Sequence, residues 1–172
     1  PMPHRYGAGS APANSLGLSV ALSRTGRPSA TDQPRLFAGP DPAPDLWGMG
    51  YVFEPDELGK CVELGLGKPR EEAMDLITRG LSDRYGPHVS TKPRKWILNN
   101  AGGAMGQLCF LHASLTEYLI FFGSPIGTEG HSGRYSTEVY DWTFDGEMWC
   151  YLEGETERTV YGPGSLAHLL PL

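Results

Sequence analysis

Apolar side chains follow two different spacings along this chain, and the spacing changes near residue 94. Before it, Met74, Ile77, Leu81 and Tyr85 recur at i, i+3, i+7 and i+11, which places them on one stripe of an α-helix. Pro69 opens that helix, Glu71 and Glu72 suit the positive end of its dipole, and Gly86-Pro87 stops it. A shorter helix starts at Pro55, presents Leu58, Cys61 and Val62 on one face, and ends at Gly65-Leu66-Gly67. After residue 94 come short β-branched and aromatic runs at 96–98, 108–122, 138–144, 148–153 and 159–161. Turn signals at Asp145-Gly146 and Glu153-Gly154 make them antiparallel strands. Leu108, Leu111, Leu115, Leu119 and Phe122 also fit a helical period, so periodicity leaves that run open, and we read it as strand. Two helices followed by a sheet predict an α+β fold. The closing Leu169-Leu170-Pro171-Leu172 does not read as a core strand.

Residues 1–46 hold more than half of the fifteen prolines together with much Gly, Ala and Ser. Too little apolar surface lies there to offset the entropy of ordering, so an extended arm is expected over 1–46. The domain follows over 47–172, with 47–93 helical and 94–172 β. One piece of the arm alternates apolar and small residues with period two, at 15–23. A strand in such an arm is expected to pair with a sheet edge, its own or a partner's, which hints at an assembly subunit. The run at 39–45 is a stiff linker.

Charge and cysteine content narrow the function classes. The net charge of −6 argues against a nucleic-acid backbone as partner. Three widely spaced cysteines without a CxxC form neither a disulfide framework nor a zinc knuckle. No stretch reaches the ~18 consecutive apolar residues of a membrane-spanning helix, which leaves a soluble or membrane-peripheral protein. The first 31 residues contain arginine and serine but no acidic residue, the composition of organelle targeting segments.

The polar groups of greatest interest lie in or just after the apolar region at 100–140: His112, Glu117, His131, Arg134, Glu138 and Asp141. Buried unpaired, each would cost ~1–3 kcal/mol, so each must join a hydrogen-bond network or serve a site. For His112 and Glu117 the plain account is a network that pins strands. Trp142, Trp149 and Tyr151 fit core packing as well as a pocket wall.

These residues carry a family resemblance. Asn100-Ala101-Gly102-Gly103 with Met105-Gly106, then Leu111-His112-Ala113-Ser114-Leu115-Thr116-Glu117-Tyr118, Phe122-Gly123 and Gly130-His131-Ser132-Gly133-Arg134-Tyr135 resemble the fungal sterol C8–C7 isomerase and sigma-1 receptor family. Glu138, Asp141, Glu153-Gly154 and Pro163-Gly164 continue the match, which covers about 50–165. The resemblance implies a cupin-like antiparallel β-barrel that encloses an apolar pocket beside a membrane. It also implies chemistry. Moving a ring double bond by one carbon needs protonation of one alkene carbon and proton loss at a neighbour, through a carbocation. One carboxyl must be kept protonated by burial, and another must be ionised to face the cation.

The family's first acid maps onto Asp141. Its second lies in a later strand, beyond the Pro-Gly turn, and no counterpart is found before Leu172. The barrel is therefore expected to be incomplete, and Glu138 or Glu117 would have to stand in beside Asp141. Asp141, His112, Glu117, Tyr135 and Trp142 are the candidate ligand-binding residues, with Asp141 and Glu138 catalytic only in an active enzyme. No cofactor is called for. A metal is not expected either, because the paired histidines of metal-binding cupins are missing. From these features the leading expectation is a non-catalytic accessory subunit of a mitochondrial inner-membrane complex, bound to other protein subunits. The alternatives are an active sterol Δ8–Δ7 isomerase, or a binder of sterols or lipophilic amines, at the endoplasmic reticulum membrane.

Overall fold

A computed structural model describes residues 18–25, 50–101, 103–130, 137–152 and 154–169. Helix α1 (Pro55–Glu63) has its proline in the first turn and buries Leu58, Cys61 and Val62. Helix α2 (Arg70–Tyr85) buries Met74, Ile77 and Leu81, as the stripe predicts, and a 3-10 turn at Gly86–His88 ends it. The strands are β1 (Leu18–Thr25), β2 (Ile97–Ala101), β3 (Ala104–Ala113), β4 (Glu117–Gly123), β5 (Thr137–Asp145), β6 (Met148–Cys150), β7 (Thr159–Tyr161) and β8 (Leu166–Leu169). The fold is α+β. Six strands form one sheet in the order β2-β3-β4-β1-β5-β8, every neighbouring pair antiparallel, and β6 and β7 make a separate hairpin. Among the described residues the sheet does not close, and β2 and β8 are its outer strands.

Three elements differ from the sequence expectation. The run at 108–122 is not one strand but the hairpin β3–β4. Ser114 makes the reversal: its hydroxyl oxygen accepts the amides of Thr116 and Glu117, and its own amide bonds the Glu117 carbonyl. This is the local side chain to backbone bonding that serine offers a turn. The arm strand is real but is no edge strand. β1 lies inside the sheet, paired with β4 on one side and β5 on the other. The ending also supplies a strand, β8, which pairs with β5 and which the proline-closed tail concealed.

One face of the sheet packs on the helices. Val20 and Leu22 of β1, Leu119 and Phe121 of β4, and Trp142 and Phe144 of β5 share a core with Phe53, Leu58, Val62, Met74, Ile77 and Leu81. Gly59 of α1 leaves room for the Trp142 indole, since a Cβ there would stand 3.3 Å from its nitrogen. The opposite, far face has smaller side chains at its centre: Ala21 and Ser23 of β1, Thr143 of β5 and Ala167 of β8, all buried.

Candidate functional site

Strand registers decide which candidate residues meet. Arg24 of β1 is the Cα partner of Glu117 on β4 and of Glu138 on β5, so the three form a row across the sheet. Directly opposed residues of antiparallel strands share a face, and this row is on the helix face, in register with Val20 and Leu22. Arg24 and Glu117 form an ion pair of 3.5 Å between side chains that are 8 % and 1 % exposed. Glu117 also accepts the amide of Val52. The Arg24 guanidinium lies over the rings of Tyr51, at 4.4 Å, and Tyr140, at 5.9 Å, an added attraction for a cation held from water.

Glu138 has its own partners. One oxygen accepts the Tyr140 hydroxyl at 2.7 Å and His168 Nε2 at 2.8 Å. The His168 and Tyr140 rings stack at 4.2 Å, and Tyr140 stacks on Trp142 in turn. Burial first, then the hydrogen bond and charge of Glu138, hold the Tyr140 phenol well above its ordinary range. His112 stands elsewhere on the helix face, its Nδ1 2.7 Å from the His88 carbonyl and its ring edge-on to Phe53. A carbonyl only accepts, so Nδ1 bears the proton.

Asp141 is set apart from all of these. It follows Glu138 by three residues on one strand, and successive residues alternate faces, so it points to the far face. Its Cα partners there are Ala21 of β1 and Ala167 of β8. Cys150 of β6 approaches from the hairpin: burial pushes its thiol up, and the negative charge of Asp141 adds to the shift. The pairing of Asp141 with Glu138 or Glu117 is thus not what the sheet provides. His112, Glu117 and Trp142 face the helices, Asp141 faces away, and Tyr135 lies outside the described residues together with His131 and Arg134.

Sequence reasoning missed Arg24 and His168. Arg24 sits in the arm, where alternation marked a strand but nothing marked its neighbours. His168 sits in a strand that was not foreseen.

Comparison with known proteins bears on what such a sheet can do. The family described as ERG2 and Sigma1 receptor like protein matches residues 45–171, well over half of the chain. The chain belongs to this family. A C-8 sterol isomerase of Pyricularia oryzae is 55% identical over 123 residues, covering 69% of this chain and 56% of the relative. One from Neurospora crassa is 42% identical over 125 residues, 70% of this chain and 48% of the relative. The sigma non-opioid intracellular receptor 1 of Danio rerio is 40% identical over 115 residues, 66% and 52% of the two chains. The chain thus spans about half the length of the curated relatives it matches. These relatives fit the isomerase or ligand-binding alternative better than an accessory subunit, and none of them supports a mitochondrial complex. Among the described residues no helix is long and apolar enough to cross a membrane, which says nothing about β-barrels.

Proposed function

We propose that this chain binds a sterol or a lipophilic amine on the far face of its sheet, with Asp141 as the carboxylate that meets positive charge. The observation that carries the reading is the position of Asp141 between two alanines, away from the charged row that holds the strands together. In a Δ8–Δ7 isomerisation the charge is the carbocation between the two proton transfers. In a binder it is a protonated amine. Both place a cation against a carboxylate at an apolar surface, where the attraction is stronger than in water.

The isomerase reading takes its support from relatives named C-8 sterol isomerase. Binding without turnover is favoured by one further observation. Among the described residues, Glu138 and Glu117, the carboxylates expected to stand in beside Asp141, are engaged on the other face. The endoplasmic reticulum membrane is the location that accompanies either reading, with the chain peripheral to it.

Purified protein offered a Δ8 sterol and, separately, a lipophilic tertiary amine separates these. Saturable binding that is lost in Asp141→Asn is expected. Conversion of the sterol that is lost in the same variant establishes the isomerase. Binding that survives Asp141→Asn removes Asp141 from the site and defeats the proposal.

A further inference from the structure

Between the end of α2 and the start of β2, residues 90–97 border a cleft of about 1040 Å³, with α2 and residues 109–111 of β3 as its other walls. Three anchors hold this segment. The Ser90 amide donates to the Leu111 carbonyl at 2.7 Å, and Trp96 packs against the core. Arg94 reaches across to α2, where Asp75 and Glu71 accept its terminal nitrogens at 2.7 and 2.8 Å. Two of the acids that line the cleft are thus taken up by a cation of the protein itself. Arg79, Lys92 and Lys95 line the same cleft, are exposed, and pair with no acid among the described residues. Asp83 is the remaining acid of the lining that faces them.

Apolar surface adjoins these cations. Ile97 and Phe110 also line the cleft and are 44 % and 45 % exposed, and the Phe110 ring meets the half-exposed Tyr118 ring edge-on. A free inorganic anion makes no use of such side chains, whereas an amphiphile with an anionic head uses both surfaces. The chain as a whole carries a net charge of −6, so an anionic bilayer attracts it only where cations gather locally. We propose that this cleft binds the headgroup of an anionic phospholipid. Arg79, Lys92 and Lys95 meet the phosphate, and Ile97 and Phe110 meet the start of the acyl chains. Asp141 does not line this cleft, and the proposal does not depend on its role. It names the surface by which a chain peripheral to a membrane meets the bilayer.

The test is flotation of the full chain with vesicles of phosphatidylcholine alone, or of phosphatidylcholine with about one-fifth phosphatidylserine. Binding to the second and not the first is expected, and it should weaken as salt is raised. Arg79→Gln, Lys92→Gln and Lys95→Gln should each weaken it by about fivefold. Lys68→Gln removes the same charge outside the cleft and should change it by less than about twofold. Phe110→Ser should also weaken vesicle binding; if a melting curve shows that it does not fold, Ile97→Ser reads the same contact. Equal binding to both vesicles, binding to neither, or a Lys68→Gln loss as large as that of the cleft variants overturns the proposal. So does competition by inorganic phosphate with Phe110→Ser or Ile97→Ser binding unchanged, which makes the cleft a site for a free anion. Asp141→Asn should float with the anionic vesicles as the unmodified chain does, so failure of the Asp141 reading and failure of this one are separate results.

Discussion

The two faces of the central strands each carry charge, in opposite settings. On the helix face Glu117, Arg24 and Glu138 run across three strands under a roof of apolar side chains, and both carboxylates have specific donors. On the far face one carboxylate, Asp141, stands among alanines. The first arrangement ties strands together, and the second is where we propose a cation meets its carboxylate. Residues as close in sequence as Glu138 and Asp141 thus lie on different faces, because a strand separates odd from even positions.

The sharpest way to break this contrast is to remove the cation from the helix face. Arg24→Met leaves Glu117 buried without its counter-charge, at an expected cost of about 3–5 kcal/mol in urea unfolding. Adding Glu117→Gln and Glu138→Gln to the same chain should recover a large part of the loss, since the penalty is that of uncompensated buried charge. If Arg24→Met costs less than about 1 kcal/mol, the row does not hold the strands and the two faces are not distinct in this sense.

A smaller effect tests the same face through pH. The Tyr140 phenol is held above its ordinary value near 10 by burial and by Glu138. In the unfolded chain this phenol ionises around pH 10, while in the folded chain it keeps its proton. Its contribution to stability is therefore complete below about pH 10 and is lost as the pH rises above it. Tyr85, raised chiefly by burial, contributes in the same direction. Between pH 9 and 11 the unmodified protein should lose stability faster than Tyr140→Phe, by at most about 1.4 kcal/mol per pH unit. Parallel pH profiles would mean that the Tyr140 phenol is not held above its ordinary value in the folded chain.

Much of this arrangement was legible in the sequence. The helix α2 stripe and the Pro55 start were set by local rules, and local rules were enough. β1 announced itself by period-two alternation, but its place between β4 and β5 depends on partners a hundred residues away, which no local pattern encodes. β8 was hidden because four residues, Leu166–Leu169, ahead of a proline are too few to show alternation. For the site, family motifs singled out Asp141. That Glu138 and Glu117 could not be its partners followed from parity along β5 and from pairing across β1. The first could have been read from the sequence once 138–144 was taken as a strand; the second needed the sheet order. The role expected of His112 and Glu117, as members of a pinning network, agrees with their bonds to His88, Val52 and Arg24.

The smallest expected effect on stability sharpens the comparison from the other side. Asp141→Asn keeps shape and volume, so unfolding should change by less than it does in Arg24→Met on the opposite face. Loss of ligand binding without loss of stability is what separates a site residue from a structural one. The substitution also has a reporter that needs no ligand. Burial is the first cause of the raised Cys150 thiol and the Asp141 charge is the second, so removing that charge should lower the thiol pKa and leave the burial contribution in place. Alkylation of Cys150, followed against pH by peptide mass so that Cys61 and Cys109 do not interfere, reads this directly. A Cys150 titration that does not move in Asp141→Asn would place the hairpin away from Asp141.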